Sequence, residues 1–248
     1  MKKLTEEKQK ELNEQLCRAI SAGDLREVKS AIRAGADVNC INELGASPLM
    51  IAANLTFEPV GRKYPEGVTQ TEEDRKAEER DLMIQRKKMQ SKLPIMKYLV
   101  KKGADVNFVS KDGYTSLMIA SLEGPVDVVS FLLGKNADIN VVDKDEKSAL
   151  YYAVKGYDTK VIKLLVDMGA EAENVIKRIE QEIYWAKNGF DMNGNKVSGP
   201  TVDIDCTTLP DSLNYLKDVV ELKQINQELA GLDNPQPAKE PKDQGMVR

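Results

Sequence analysis

Short apolar clusters at helical spacing recur along the chain and predict pairs of short helices. In each pair the first cluster reads Leu-Met-Ile-Ala or a close variant, as at residues 117–120, and the second is an apolar run such as residues 126–133. A residue that readily takes a left-handed backbone follows each second cluster, where it would end the helix. These four residues are Gly35, Gly103, Asn136 and Gly169. The hydrophobic pattern therefore predicts an all-α chain built of helix pairs.

The segment after each second helix repeats at a fixed spacing. The residues GADVN at 103–107 recur as NADIN at 136–140 and, in shortened form, as GAE at 169–171, which sets a period of 33 residues. Another GADVN lies 68 residues before the first of these, which is one period plus 35 residues. A period between about 20 and 50 residues indicates stacked units that share one core. The spacing therefore predicts a solenoid whose second repeat carries a helical insertion at about residues 54–91.

Three further segments follow the same period: GASPLMIAA at 45–53, GYTSLMIA at 113–120 and EKSALYYA at 146–153. They resemble the T-P-L-H-x-A signature of the ankyrin repeat. The resemblance covers residues 13–172 in about four copies, and it implies an ankyrin-repeat α-solenoid of helix-turn-helix pairs with short β-hairpin fingers.

The signature also predicts how the first helix of each pair begins. A hydroxyl stands where it can cap the first turn in all three copies, at Ser47, Thr115 and Ser148. The family's histidine is replaced in all three copies, by Met50, Met118 and Tyr151. The last full repeat also has Glu146 where the usual turn glycine is expected. These departures favour a stack that depends more on apolar packing than a consensus array does.

The chain divides into three predicted parts. Residues 1–172 form the repeat domain, and residues 173–230 form a C-terminal helical extension that caps its exposed end. Residues 231–248 carry three prolines among charges and are predicted to be a disordered tail. Within residues 71–92 all six acidic residues lie at or before Asp81, and four of the seven basic residues lie in the last turns, which suits a solvated helix. An alternative is that an apolar stripe of Leu82, Met89, Leu93 and Met96 packs on the stack or contacts a partner.

The composition excludes several kinds of chemistry. The 248 residues include no histidine, which excludes Ser-His-Asp hydrolases, Cys-His nucleophiles and His-ligated zinc sites. The net charge of −4 favours neither nucleic acid nor an anionic bilayer as a partner. The chain contains no apolar run long enough to span a membrane and no apolar signal core near its start. We therefore expect a cytoplasmic protein, unless a secretion route without a signal peptide carries it into a host cell.

The C-terminal extension offers no convincing site. Asp191, Asn193 and Asn195 alternate as calcium-loop ligands do, but Lys196 and Val202 replace the required glycine and glutamate. An Asn-Gly turn is the simpler interpretation. Phosphate-binding and nucleophile-elbow motifs are also missing, so an enzyme centred on residues 173–230 is the weakest alternative. We predict no catalytic residue, no metal site, no cofactor and no small-molecule substrate.

The cysteines predict no cross-linked framework. Cys17, Cys40 and Cys206 are odd in number and widely spaced, so they suggest neither a set of disulfides nor a CxxC metal knuckle. Buried, reduced thiols are the expected state.

The resemblance implies that the chain binds a partner protein through the concave ankyrin surface, where the fingers and the first helices meet. Such binding would inhibit, scaffold or titrate a target. The alternative function is that of a bacterial or viral effector that acts on a host protein through the same surface. The matching positions are Glu43, Leu44, Ala46, Lys111, Asp112, Tyr114, Leu122, Glu123, Lys144, Asp145, Lys147 and Lys155.

Overall fold

The fold is taken from a computed structural model that describes residues 5–54, 92–188 and 209–232. These residues contain ten helices and, as their β-structure, one isolated bridge between Val142 and Ser148. The helices are α1 (Glu6–Ala22), α2 (Leu25–Ala34), α3 (Pro48–Ala53), α4 (residues 92–101), α5 (Ser116–Glu123), α6 (Val126–Leu133), α7 (Ala149–Lys155), α8 (Thr159–Asp167), α9 (Glu173–Asn188) and α10 (Leu209–Leu232). The all-α class is confirmed.

The helices form four pairs that stack in chain order. The first helices of the pairs contact one another in the order α1, α3, α5 and α7, and α6 contacts α8 in the outer layer. One apolar core runs through the stack, with Ile20, Leu49, Met96, Leu117 and Leu150 almost wholly buried. The repeated apolar positions therefore build the solenoid that their spacing predicts.

The predicted starts of the first helices are confirmed in two repeats of three. The Ser47 hydroxyl accepts a hydrogen bond from the N–H of Met50 (3.3 Å), and Thr115 accepts one from Met118 (3.2 Å). Ser148 has the extended backbone of a cap, but its hydroxyl is buried and has no hydrogen-bond partner among the described residues. The capping prediction is therefore wrong for Ser148.

The predicted ends of the second helices are confirmed. The residues at the predicted stops lie one to three positions beyond the last residue of α2, α4, α6 and α8, and all have positive φ angles. They are Gly35 (111°), Gly103 (93°), Asn136 (60°) and Gly169 (99°). Glycine takes this conformation freely and asparagine is the next best residue, so Asn136 fits its place.

Successive repeats are joined by asparagine side chains. In each case the Asn that ends one GADVN-type segment bonds to the backbone of the next segment, and we call Asn39, Asn107 and Asn140 the asparagine ladder. The Asn39 amide donates to the Gly103 carbonyl (3.0 Å) and accepts from the Asp105 N–H (2.8 Å). Asn107 likewise donates to the Asn136 carbonyl (3.0 Å) and accepts from the Asp138 N–H (2.8 Å). Asn140 accepts from the Glu171 N–H (3.0 Å). Side-chain bonds to the backbone thus hold the repeats at a constant spacing.

Two further helices lie at the C-terminal end of the stack. Helix α9 contacts α7, and α10 contacts α8, α7 and α9. Val175, Ile179 and Ile183 of α9 are buried. Helix α10 includes Gly231 and ends at Leu232, two residues beyond the predicted boundary of the extension.

The ends of the insertion are tied together. The Lys92 ammonium donates a hydrogen bond to the carbonyl of Asn54 (3.0 Å), and burial lowers the pKa of Lys92.

Two residues of the predicted apolar stripe lie in the described part of the chain: Met96 is buried in the core and Leu93 packs against the core. Leu82, Met89, the Asn193 turn, Cys206 and the predicted tail from residue 233 lie outside the described residues. None of the described helices has the length and apolar character needed to cross a membrane.

Candidate functional site

Three tight turns, each between two successive helix pairs, project beside the first helices. We call residues 41–46, 109–114 and 142–147 the finger row. In each finger a backbone bond closes the turn: Asn42 N–H to the Ala46 carbonyl (3.1 Å), Ser110 to Tyr114 (2.9 Å) and Asp143 to Lys147 (3.0 Å). The side chains of Asn42, Ser110 and Asp143 accept from the N–H at the far side of the same turn (2.8, 3.0 and 3.0 Å). Each finger is therefore a hydrogen-bonded unit with little freedom to rearrange.

The fourth position of each turn has a left-handed backbone. It is Gly45 (φ 77°) in the first finger, Gly113 (φ 88°) in the second and Glu146 (φ 60°) in the third. A residue other than glycine in this left-handed conformation destabilises the fold by about 1–2 kcal/mol. The third finger therefore keeps the same turn geometry with Glu146 at an energetic cost.

The second and third fingers touch. The N–H of Lys144 donates to the carbonyl of Asp112 (3.2 Å), and the two side chains form an ion pair at the same distance. A Cβ atom at Gly113 would lie 2.5 Å from the Cα of Asp143, whereas a Cβ at Gly45 would meet nothing within 4 Å. Adjacent fingers therefore pack backbone to backbone at this point.

The structure places most of the predicted binding residues on this row. Glu43, Lys111, Asp112, Lys144 and Asp145 are exposed at the finger tips. Leu44 is 72% exposed and Tyr114 is 38% exposed, while Ala46 is half-buried. Leu122 is half-buried on α5, and Glu123 is the last residue of that helix.

An aromatic cluster connects the second and third fingers with α7. The ring centroids of Tyr114 and Tyr152 lie 6.1 Å apart, and Tyr151 meets Tyr152 edge to face at 5.5 Å. The Tyr152 hydroxyl donates to the carboxylate of Asp143, the residue that closes the third finger. Burial and this bond raise the pKa of Tyr152 well above its ordinary value. The base of the third finger is therefore fixed to α7.

Two of the predicted binding residues are held by neighbours within the chain. The Lys147 ammonium lies 3.1 Å from an Asp145 oxygen and 5.5 Å from the centre of the Tyr151 ring. Lys155, the last residue of α7, is largely buried, and its ammonium lies 3.9 Å from a carboxylate oxygen of Glu182 on α9. These two lysines are less available to a partner than the residues at the finger tips.

Glu182 is a buried carboxylate between α7 and α9. It accepts a hydrogen bond from the Tyr151 hydroxyl (2.8 Å) and lies 3.5 Å from the Nε of Arg178. Burial raises the pKa of Tyr151 well above its ordinary value, and the charge of Glu182 adds to the shift. This cluster joins the last repeat to the C-terminal helices.

A comparison with protein families matches residues 82–176 to ankyrin repeats, in three copies. The chain contains ankyrin repeats. The match begins within the second repeat, and α1 to α3 extend the same ankyrin stack on its N-terminal side. No curated protein matches the chain significantly. Ankyrin repeats are in general protein interaction modules, and the family is typically non-catalytic.

Three exposed residues of the ankyrin fingers are not among the binding residues predicted from the sequence. Ile41, Val109 and Val142 each stand directly before the residue that closes a finger, and they are 58%, 46% and 48% exposed. The signal was available, because the three positions are equivalent under the repeat and all carry β-branched apolar side chains. Repetition alone does not distinguish an exposed apolar position from a buried one, so the exposure of these residues becomes evident only in the fold. In the parts of the chain that the structure describes, no cluster of residues suits a metal ion.

Proposed function

We propose that this ankyrin repeat protein binds another protein through the concave surface that carries the finger row, without catalysis of its own. The observation that supports this most directly is the row of exposed β-branched side chains at Ile41, Val109 and Val142. A single exposed apolar residue is ordinary on a protein surface. Three of them at one repeat position are better explained by a contact that buries them.

Apolar and aromatic anchors supply most of the energy of protein interfaces. Leu44 and Tyr114 add two exposed anchors to the row on the same fingers. The fingers are held by hydrogen bonds before any partner arrives, so little conformational entropy would be lost on binding.

The charges at the finger tips favour a protein partner over a polyanion. Glu43, Asp112 and Asp145 alternate with Lys111 and Lys144, so both signs are present along the row. A surface of mixed charge forms a polar rim around apolar anchors, as in protein interfaces. The net charge of −4 gives nucleic acid and anionic membranes no electrostatic advantage. We expect the partner in the cytoplasm.

The test compares two matched double variants in affinity capture from the lysate of the producing cell, followed by mass spectrometry. Leu44→Lys with Val109→Lys places charges on the finger row. Met168→Lys with Leu222→Lys places the same charges on exposed apolar positions elsewhere. We expect a protein captured by the wild type to be lost with the finger variant and retained with the control. Circular dichroism checks that both variants are folded.

Capture that survives in the finger variant would reject the proposed surface and direct the search to residues 55–91 or to α10. Capture that occurs only from the lysate of a host cell, with the same dependence on the fingers, would favour the effector function.

A further inference from the structure

Helix α1 lies along the segment that follows α2, and one face of the helix makes the contacts. The Gln9 amide donates to the carbonyl of Gly35 (2.8 Å), and Asn13 accepts from the N–H of Asp37 (2.9 Å). Residues four apart share a face of a helix, so the next residue in this series is Cys17. The series therefore brings Cys17 to the stretch just beyond Asp37.

Cys40 occupies that stretch. It is buried in the core, and Cys17 is half-buried and packs against the same core. The two thiols are near enough for a hydrogen bond between them to shift both of their pKa values. Two cysteines that are far apart in sequence are thus neighbours in the fold.

The two thiols have different reactivity. The hydrogen bond from Cys40 lowers the pKa of Cys17, although burial and the charge of Glu14 oppose the shift. The same bond and burial raise the pKa of Cys40 well above its ordinary value. Cys17 is also the more exposed of the two. The thiolate is the nucleophile in thiol chemistry, so Cys17 reacts first.

We propose that Cys17 and Cys40 form a site of reversible oxidation, in which Cys17 is the attacking thiol and Cys40 is the resolving thiol. An accessible cysteine beside a buried partner is the arrangement found in redox-sensing pairs. The neighbouring sulfurs must approach to the bonding distance of about 2.05 Å for the disulfide to form.

The oxidant is a small-molecule disulfide, and oxidised glutathione serves as the probe. The Cys17 thiolate attacks one sulfur of the glutathione disulfide, a Cys17–glutathione bond forms, and one glutathione leaves as a thiolate that takes up a proton. Cys40 then loses its proton to water and attacks the Cys17 sulfur, which releases the second glutathione. Two protein thiols are oxidised to one disulfide while one glutathione disulfide is reduced to two thiols.

The product would join α1 to the residue directly before the first finger. A disulfide restricts the unfolded chain, so the oxidised protein should unfold at a higher temperature, by roughly 5 °C. The effect should disappear on reduction.

The experiment uses the full chain, reduced and then incubated with mixtures of reduced and oxidised glutathione. Free thiols are trapped by alkylation in acid, and a digest without reductant is read by mass spectrometry. Cys206→Ser removes the third thiol and should behave as the wild type, with a Cys17–Cys40 peptide as the product. Cys40→Ala should stop at the Cys17–glutathione mixed disulfide, and Cys17→Ala should react at residue 40 at least roughly tenfold more slowly.

A second measurement tests the cysteine pair without an alanine variant, in case such a variant does not fold. In Cys206→Ser, the resolution of the Cys17–glutathione intermediate is timed in buffer and in urea. Contact in the fold should make this step at least roughly tenfold faster in buffer. An equal or faster rate in urea would overturn the proposal. So would a stable mixed disulfide at Cys17 in the wild type, or cross-links only between chains.

Discussion

The hydroxyl of Tyr151 donates a hydrogen bond of 2.8 Å to the buried carboxylate of Glu182. Tyr151 stands on α7 in the place where the ankyrin signature has histidine, and Glu182 stands on α9 outside the repeats. The bond therefore replaces an interaction typical of the repeat with one that ties the last repeat to the helices that follow it.

Removing this hydroxyl should destabilise the protein. Tyr151→Phe leaves a buried carboxylate whose remaining partners, among the residues that the structure describes, are the more distant cations of Arg178 and Lys155. Loss of the hydrogen bond to such a buried group costs about 2 kcal/mol. Urea unfolding followed by circular dichroism measures the change. Tyr184→Phe, at an exposed tyrosine of α9, is the control and should change stability by less than about 0.5 kcal/mol. Equal losses in the two variants would contradict the role given to the bond.

The same tyrosine predicts a dependence on alkaline pH. The folded state raises the pKa of Tyr151 above its ordinary value of 10.0, so this residue contributes stability that is present below pH 10 and is lost as the pH rises above it. At about pH 11 the loss should approach 1.4 kcal/mol. The stability gap between wild type and Tyr151→Phe should therefore be smaller at pH 11 than at pH 7. A constant gap across this range would show that Tyr151 ionises equally in both states.

The third finger should gain stability from a glycine. Glu146 has a left-handed backbone where the other two fingers have Gly45 and Gly113. Glu146→Gly removes a strain of about 1–2 kcal/mol but frees the unfolded chain, so a net gain of about 0.5–1 kcal/mol is expected. Asn136→Gly is the control, because asparagine already tolerates this backbone and should gain less. Thermal unfolding compares them, and a loss of stability in Glu146→Gly would count against the strain.

The contact between fingers predicts unequal effects of alanine at the two turn glycines. Gly45→Ala meets open space and should cost about 1 kcal/mol, from the backbone alone. Gly113→Ala would place its Cβ 2.5 Å from the Cα of Asp143, so its cost should rise to about 3 kcal/mol. Denaturant unfolding of both variants decides the point. Equal costs would mean that the second and third fingers do not pack as described.

Local features of the fold could be predicted from the sequence because each depends on residues close together in the chain. The apolar period, the caps at Ser47 and Thr115 and the left-handed residue at Asn136 are of this kind. Ser148 shows the limit, since burial of its hydroxyl depends on packing that no local pattern records.

The features that the sequence did not predict depend on contacts between distant residues. The repeat position of Lys155 predicts contact with a partner, yet Lys155 lies beside Glu182 because α9 packs on α7. The spacing of Cys17 and Cys40 indicates no relationship between them, and they are neighbours because α1 lies along the segment after α2. Likewise, the positions of the finger residues could be inferred from the repeat, but their exposure could not.

The asparagine ladder crosses the insertion without a change in its bonds. Asn39 reaches a carbonyl 64 residues away and Asn107 reaches one only 29 residues away, yet both distances are 3.0 Å. The pitch of the array is thus independent of how much chain separates Asn54 from Lys92, whose own hydrogen bond joins the two ends. This junction is therefore a natural place to graft a reporter domain, since a longer or shorter segment there would leave the neighbouring repeats in register.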